Sequence, residues 1–426
     1  MKGENGKMKS DLEQTEIEAP YELPESWKWC RLGDVGETLT GSTPSKKKTE
    51  YYGGNFPFFK PADLEQGINL FQSSEYLSAE GKKVSRIVPA KSTLICCIGS
   101  IGKSGYSLRE GTTNQQINAI IPHKYIDSKY VFYAVNTEDF INQLWSKASS
   151  TTISIVNKSK MDNCIIPLPP TLDEQQRIVN RIESMFAKLD EAKEKAQNVV
   201  DGFETRKAAI LHKAFTGELT AKWRKENGVS DDSWVVKTIG ECGKWERGRS
   251  KHRPRNAPEL FGGKYPFIQT GDIANADIYI YEHKQTLSEF GFQQSRLFPK
   301  DTLCITIAAN IGKVAILTYD CCFPDSVVGF TPFENVDSKF MYYKINDMQK
   351  DLEAMAPATA QKNLNLKLLT SVSVQIPTFP EQVEIVRILD IIIEKETRAK
   401  EAAQTVLDQI ALLKKSILAR AFRGEL

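Results

Sequence analysis

Two stretches of the chain carry apolar residues at a steady alternation of four and three positions. In the first they fall at Ile178, Ile182, Met185, Leu189, Ala192, Ala196, Val199 and Phe203. In the second they fall at Ile385, Leu389, Ile392, Ala399, Ala403, Val406, Ile410, Leu413 and Ile417, with Glu396 as a polar intrusion. A repeat averaging about 3.5 residues predicts a long helix whose narrow apolar seam a partner helix must cover. Thr171 with Glu174, and Thr378 with Glu381, have capping-box spacing at the two helix starts. Gly217 and Gly424 stand where a glycine would end each helix. A helix of roughly 40 residues is about 60 Å long, wider than most small domains. Antiparallel pairing of the two helices is therefore favoured over each lying on its own neighbour.

Ahead of each helix the rhythm changes. Short β-rich runs at 93–98, 117–121, 303–307 and 372–376 are bounded by Gly, Pro and Asn, as strands of a compact domain are. These runs belong to a text written twice. Ser26-Trp27 recurs as Ser233-Trp234, and Gly53-Gly54-Asn55-Phe56-Pro57-Phe58 as Gly262-Gly263-Lys264-Tyr265-Pro266-Phe267. Ile101-Gly102-Lys103 returns as Ile311-Gly312-Lys313, and Glu174-Gln175 as Glu381-Gln382. Ala214-Phe215-Thr216-Gly217-Glu218-Leu219 returns as the last six residues, Ala421-Phe422-Arg423-Gly424-Glu425-Leu426. The expected fold is mixed α/β: two similar domains joined by two long antiparallel coiled-coil helices, a pseudo-twofold internal repeat. The expected parts are a flexible N-terminal tail (1–20), a first domain (21–170) and its helix (171–217), a linker (218–232), then a second domain (233–377) and its helix (378–426).

Composition narrows the function classes. Apolar residues make up 41% and charged residues 26% of the 426, ordinary for a folded domain protein. No apolar run is long enough to cross a membrane. The first twenty residues are polar and lack the apolar core of a secretory signal, so a cytoplasmic location is expected. The 8 cysteines show no Cys-x-x-Cys spacing, and 4 dispersed histidines do not complete a zinc site; reduced, mostly buried thiols are expected. Net charge is only +2, so any nucleic-acid surface must be a local concentration of Lys and Arg.

Such concentrations occur at matching places. Gly41-Ser42-Thr43-Pro44-Ser45-Lys46-Lys47-Lys48 precedes the first Gly-Gly, and Arg247-Gly248-Arg249-Ser250-Lys251-His252-Arg253-Pro254-Arg255 precedes the second. A single charged run is usually a solvated loop. Two at equivalent repeat positions, punctuated by Gly and Pro, read as protruding loops able to neutralise phosphates and pair with guanine. Other motifs are blander. Gly99-Ser100-Ile101-Gly102-Lys103-Ser104 has Cys97 where a phosphate loop needs its first glycine, and Leu168-Pro169-Pro170-Thr171 is a stop before a helix.

Taken in order and doubled, several segments resemble the specificity (S) subunit of type I restriction–modification enzymes. They are Gly41-Ser42-Thr43-Pro44, Tyr52-Gly53-Gly54-Asn55-Phe56-Pro57-Phe58, Ile98-Gly99-Ser100-Ile101-Gly102, Asn114-Gln115-Gln116-Ile117, Pro167-Leu168-Pro169-Pro170, Glu174-Gln175 and Ala214-Phe215-Thr216-Gly217-Glu218-Leu219. The resemblance implies two target recognition domains reading the two parts of a split target in double-stranded DNA. It implies assembly with two methyltransferase (M) subunits and, for cleavage, with restriction (R) subunits. S-adenosylmethionine, ATP and Mg2+ would belong to those partners, leaving this chain without cofactor, metal or active site. DNA contacts are expected from Ser42, Thr43, Lys46, Lys47, Lys48, Arg247, Arg249, Lys251, Arg253 and Arg255, with Gln116 and Asn310 behind them. The helix seam is expected from Ile178, Ile182, Leu189, Val199, Phe203, Ile385, Leu389, Ile392, Val406, Ile410 and Leu413. The second half has Asp325-Ser326-Val327-Val328 where the first has Gln115-Gln116-Ile117-Asn118, so the two reading surfaces differ. Two other classes make opposite forecasts. A stand-alone methyltransferase or nuclease would carry its own chemistry and, if a methyltransferase, bind S-adenosylmethionine. A scaffold that does not touch DNA would lack salt-dependent DNA binding.

Overall fold

A computed structural model of the chain describes residues 19–149, 153–252, 254–308, 310–355 and 364–426. Nearly all of the expected N-terminal tail, and the candidate Arg253, lie outside the described residues. The chain divides into two compact units, one of residues up to Gln197 together with Gln404–Leu426, the other of Asn198–Ala403.

In the first unit, β1 (Gly36–Thr40), β2 (Thr93–Cys96), β3 (Ser104–Tyr106) and β4 (Ile117–Pro122) form an antiparallel sheet in the order β1-β4-β2-β3. Strand β2 is apolar at nearly every position because both of its faces are covered. Leu94 and Cys96 point into a core with Phe59, Leu64 and Leu70. Ile95 points into another with Leu32, Tyr130, Phe140 and Met161. In the second unit, β5 (Gly243–Arg247), β6 (Tyr279–Ile280), β7 (Leu303–Thr306), β8 (Val314–Leu317) and β9 (Val327–Pro332) run in the order β5-β9-β7-β8-β6. There, too, the two-residue period divides β7: Cys304 joins Ile268 and Phe298 on one face, Leu303 and Ile305 join Ile239 and Phe340 on the other. A two-stranded ribbon brings the ends of each domain together, Lys28 opposite Leu168 in one and Val235 opposite Ile376 in the other.

The helices leave from these ribbons. They are α1 (Leu172–Asp201), α2 (Phe203–Phe215), the short α3 (Ala221–Asn227) and α4 (Phe379–Phe422), the last unbroken for 44 residues. The repeated Glu-Gln pair has a structural job here. The buried Gln175 accepts the Asp127 N–H at 2.8 Å, and Gln382 accepts that of Asp337 at 2.9 Å. Asp127 and Asp337 each cap a helix in turn. Gly217 and Gly424, at φ +79° and +77°, end the helices as the sequence predicts.

Ile178 and Ile182, at 1% and 0% exposure, share the first unit's main core with Leu418, Ala421 and Phe422 from the far end of α4. Further along, Lys414 pairs with Asp190 and stands 4.9 Å over the Phe186 ring, and Arg177 donates to the Leu426 carbonyl at 2.8 Å. The second unit repeats the scheme. Ile385 and Leu389 share a core with Leu211, Ala214 and Phe215. Arg206 pairs with Glu396 at 2.7 Å, and Lys400 lies 4.5 Å over Phe203. In both units the paired segments run antiparallel. The first turns of each helix also lie on their own domain, so both packing modes weighed from the sequence are used.

Four details depart from the sequence reading. Val406 and Leu413, expected in the seam, are 39% and 49% exposed. Ala403 and Ile410 of the same stripe are buried, and Lys400 and Lys414 bring their ammonium groups over the Phe203 and Phe186 rings. Glu396 is no intrusion; it pairs with Arg206 from the facing helix. The first helix breaks at Gly202, where glycine's poor helix propensity combines with the Arg206 guanidinium, which would lie 2.5 Å from an added Cβ and donates to the Val199 carbonyl. The capping boxes are incomplete: Thr171 accepts the Glu174 N–H at 3.3 Å while Glu174 turns to Arg177. Glu381, fully buried, accepts from Thr220 and Arg224, both at 2.7 Å.

Candidate nucleic-acid interface

Strand direction decides which loops meet. In the first domain β1 ends at Thr40, β4 begins at Ile117 and β2 ends at Cys96, and these ends are neighbours in the sheet. Loops 41–48, 114–116 and 97–103 therefore emerge from one end. They are stitched to one another at short range. Gly41 N–H donates to the Ile117 carbonyl at 3.0 Å, Ser42 N–H to Thr113 at 2.9 Å, and Cys97 N–H to Gln116 at 2.7 Å. The Thr43 hydroxyl donates to the Gln115 amide oxygen. Gly41 is glycine because an added Cβ would sit 2.1 Å from the Asn114 carbonyl oxygen. The far side of the loop is tied by Tyr52, whose hydroxyl donates to the Pro44 carbonyl at 2.6 Å, and by Lys48, which donates to the Tyr51 hydroxyl at 3.1 Å. Between these anchors Ser45, Lys46 and Lys47 project, all exposed.

The second domain builds the same end with other side chains. Gly248 N–H donates to Val327 at 2.9 Å, Arg249 N–H to Phe323 at 3.2 Å, and Ile307 N–H to Ser326 at 3.0 Å. Gly248 is again forced, since an added Cβ would lie 2.3 Å from the Pro324 carbonyl oxygen. Where the first domain has Thr43 on Gln115, the second has Arg255 on Asp325, Nη2 to Oδ2 at 2.8 Å. The Arg247 Nε also donates to the Asp325 backbone carbonyl. Asn310 is exposed in the turn between β7 and β8, in left-handed backbone with φ 54°. That turn is a backbone-bonded reversal in both domains, closed by Gly102 N–H on Cys96 and Gly312 N–H on Thr306, not a cradle for phosphate.

The fold thus gathers Ser42, Thr43, Lys46, Lys47, Lys48 and Gln116 at one end of the first sheet. It gathers Arg247, Arg249, Lys251, Arg255 and Asn310 at the matching end of the second. Gln116 is half-buried and its side chain accepts from the Asn114 amide at 2.8 Å, so it shapes its loop. Lys46, Lys47, Arg249 and Lys251 are exposed and make no ion pair among the described residues. Sequence reasoning missed Gln115, Asp325 and Arg86, which donates to the Thr40 carbonyl at 2.8 Å. The signal for the first two was present in the repeat, as the substitution of Asp for Gln beside the variable loop.

Other chemistry is quiet. Seven of the eight thiols are buried and Cys30 is half-buried. Burial pushes Cys97 and Cys321 up to about 12, far from nucleophilic thiolates. Among the described residues no cluster of His, Cys, Asp and Glu is arranged to hold a metal, and no helix is long and apolar enough to cross a membrane.

Comparison with known proteins agrees with this doubled architecture. The family described as the type I restriction modification DNA specificity domain matches twice, at residues 24–200 and 231–407. The specificity subunit of the type I restriction enzyme HindI from Haemophilus influenzae is 28% identical over 168 residues, 39% of this chain but only 37% of that protein. The EcoBI specificity subunit of Escherichia coli is 21% identical over 440 residues, covering 99% of this chain and 90% of that one. A chain from a structural study of complex assembly and conformational transition of the type I R-M system superposes with a TM-score of 0.76 at 19% identity. That match covers 96% of this chain and all of the other, and at such identity it speaks for the fold.

Proposed function

The chain belongs to the type I restriction modification DNA specificity family, as a specificity subunit with two target recognition domains, and on that premise we propose how it reads DNA. Each domain reads one part of a two-part target in double-stranded DNA through the loops at its sheet end. The observation carrying this reading is the pair of matching loop ends, stitched by the same backbone bonds yet furnished with different side chains. One frame with two sets of side chains suits recognition of two different base sequences. Lys46, Lys47, Lys48, Arg249 and Lys251 place each domain on the phosphates, which carry no sequence information. Arg247, Arg255 and Asn310, with Ser42 and Thr43, face base edges in the major groove, where Arg suits guanine and Asn suits adenine, while Gln116 shapes the loop beside them.

In this reading the helices set the interval between the two parts of the target and dock two methyltransferase subunits. Val406, Leu412 and Leu413, exposed on α4, offer apolar surface for such a partner. Restriction subunits join for cleavage. S-adenosylmethionine, ATP and Mg2+ are bound by those partners, and this chain contributes recognition without catalysis. The complex works in the cytoplasm, where the DNA is.

The ruler role has a direct test. Inserting one heptad into both long helices at facing positions lengthens the pair by about 10 Å, or about three base pairs at 3.4 Å each. Mapping of modified bases is expected to show the same two specified sequences with the interval lengthened by about three pairs. An unchanged interval refutes the ruler.

A further inference from the structure

The junction between the two reading loops is tied in both domains, but by different chemistry. In the first domain the tie is neutral, Thr43 on Gln115. In the second it is ionic, Arg255 on Asp325, with Arg247 on the carbonyl of the same residue. The first domain shows that closing this junction requires no charge. Nor does the ion pair matter much for folding: Arg255 and Asp325 are 51% and 31% exposed, and pairs so exposed contribute little. A carboxylate on a surface that meets phosphates is also unfavourable by itself. Its presence needs another reason.

We propose that Asp325 is a positioning residue for base recognition: it holds the Arg255 guanidinium so that its remaining donors meet guanine in the second part of the target. The inference rests on the DNA-reading role proposed above. A guanidinium is a rigid plane with five N–H donors. Asp325 engages one N–H of Nη2 at 2.8 Å, which fixes the plane and leaves the other Nη2 N–H, side by side with an N–H of a neighbouring nitrogen, as a parallel pair for a second partner. The O6 and N7 acceptors of guanine match such a paired set of donors. A flexible, unheld arginine would lose more conformational freedom on binding and would accept any phosphate oxygen nearby. Holding converts a cation into a base reader. Arg247, tied by its Nε to the Asp325 carbonyl, is steadied by the same loop.

The test is selection of duplexes from a random library by the full chain in complex with its methyltransferase partners. Wild-type chain, Asp325→Ala, Arg255→Ala, the double variant and Asp325→Glu are compared, with thermal unfolding checked for each. The wild type must first return a two-part consensus; failure there sinks the DNA-reading role itself. Given that consensus, Asp325→Ala is expected to relax one guanine position in one part only, by roughly ten- to a hundredfold. Arg255→Ala relaxes the same position, the double variant adds little beyond either single one, and Asp325→Glu restores part of the preference. Relaxation of different positions by the two single variants means that Asp325 reads a base itself, and overturns the proposal. So does an even loss of affinity with an unchanged consensus.

Discussion

Replacing Arg224 by alanine is expected to cost the second unit about 3–5 kcal/mol of folding stability, the loss typical of breaking a buried ion pair on one side. The residue lies in the stretch 218–232, whose sequence reads as a linker. Its guanidinium reaches Glu381 at 2.7 Å and Asp231 at 3.0 Å, with only 9% of its side chain exposed. Glu381 is wholly buried at the start of α4, and its other oxygen has no hydrogen-bond partner among the described residues. Without Arg224 that carboxylate keeps only the Thr220 hydroxyl, too little to offset removal from water. Arg206→Ala supplies the contrast: its pair with Glu396 is 37% and 27% exposed, so a loss of no more than about 1 kcal/mol is expected. Replacing Arg224 and Glu381 together by leucine should regain most of the deficit, because no unpaired charge is left behind. Urea titration reads all three. A loss below 1 kcal/mol for Arg224→Ala would show that water or another cation reaches Glu381.

Neutralising Lys46, Lys47, Lys48, Arg249 and Lys251 together is expected to remove most of the salt-dependent binding to DNA. Each phosphate contact adds about 0.9 to the slope of log affinity against log salt. Losing five should flatten the slope by about four to five units. The preferred sequence should survive at low salt, since these side chains position the domains without reading bases. Arg247 and Arg255, held by the 325 loop, should behave in the opposite way, altering preference with little change in slope. Affinity measured on one target duplex between low and moderate salt separates the two groups. An unchanged slope in the five-fold variant places the phosphate contacts elsewhere on the chain.

How far the sequence led follows from the kind of interaction involved. The doubling, the helix starts near Thr171 and Thr378 and the stops at Gly217 and Gly424 are local or periodic signals, and they were legible. The seam was legible only in part, because counting apolar residues overlooks long cationic side chains: Lys400 and Lys414 lie over facing aromatic rings while Val406 and Leu413 stay exposed. The capping boxes failed for a related reason. A glutamate three residues into a helix suits a cap, but at Glu381 a tertiary partner, Arg224, outcompetes the local backbone. No local pattern could announce a partner 157 residues away. At the candidate interface, charge and repeat position located the loops, whereas the ties between them did not show. Thr43 with Gln115, and Arg255 with Asp325, meet because adjacent antiparallel strands begin and end at one level of the sheet.

The account stands or falls on one chain reading two separate stretches of DNA, one with each domain. Mapping modified bases across the genome of a cell that carries this chain and its methyltransferase partners addresses that most directly. The expected result is one motif of two short specified runs around an interval of fixed length without sequence preference, and exchange of the 248–255 loop should alter one run alone. A single uninterrupted motif, or modification without sequence preference, would contradict it.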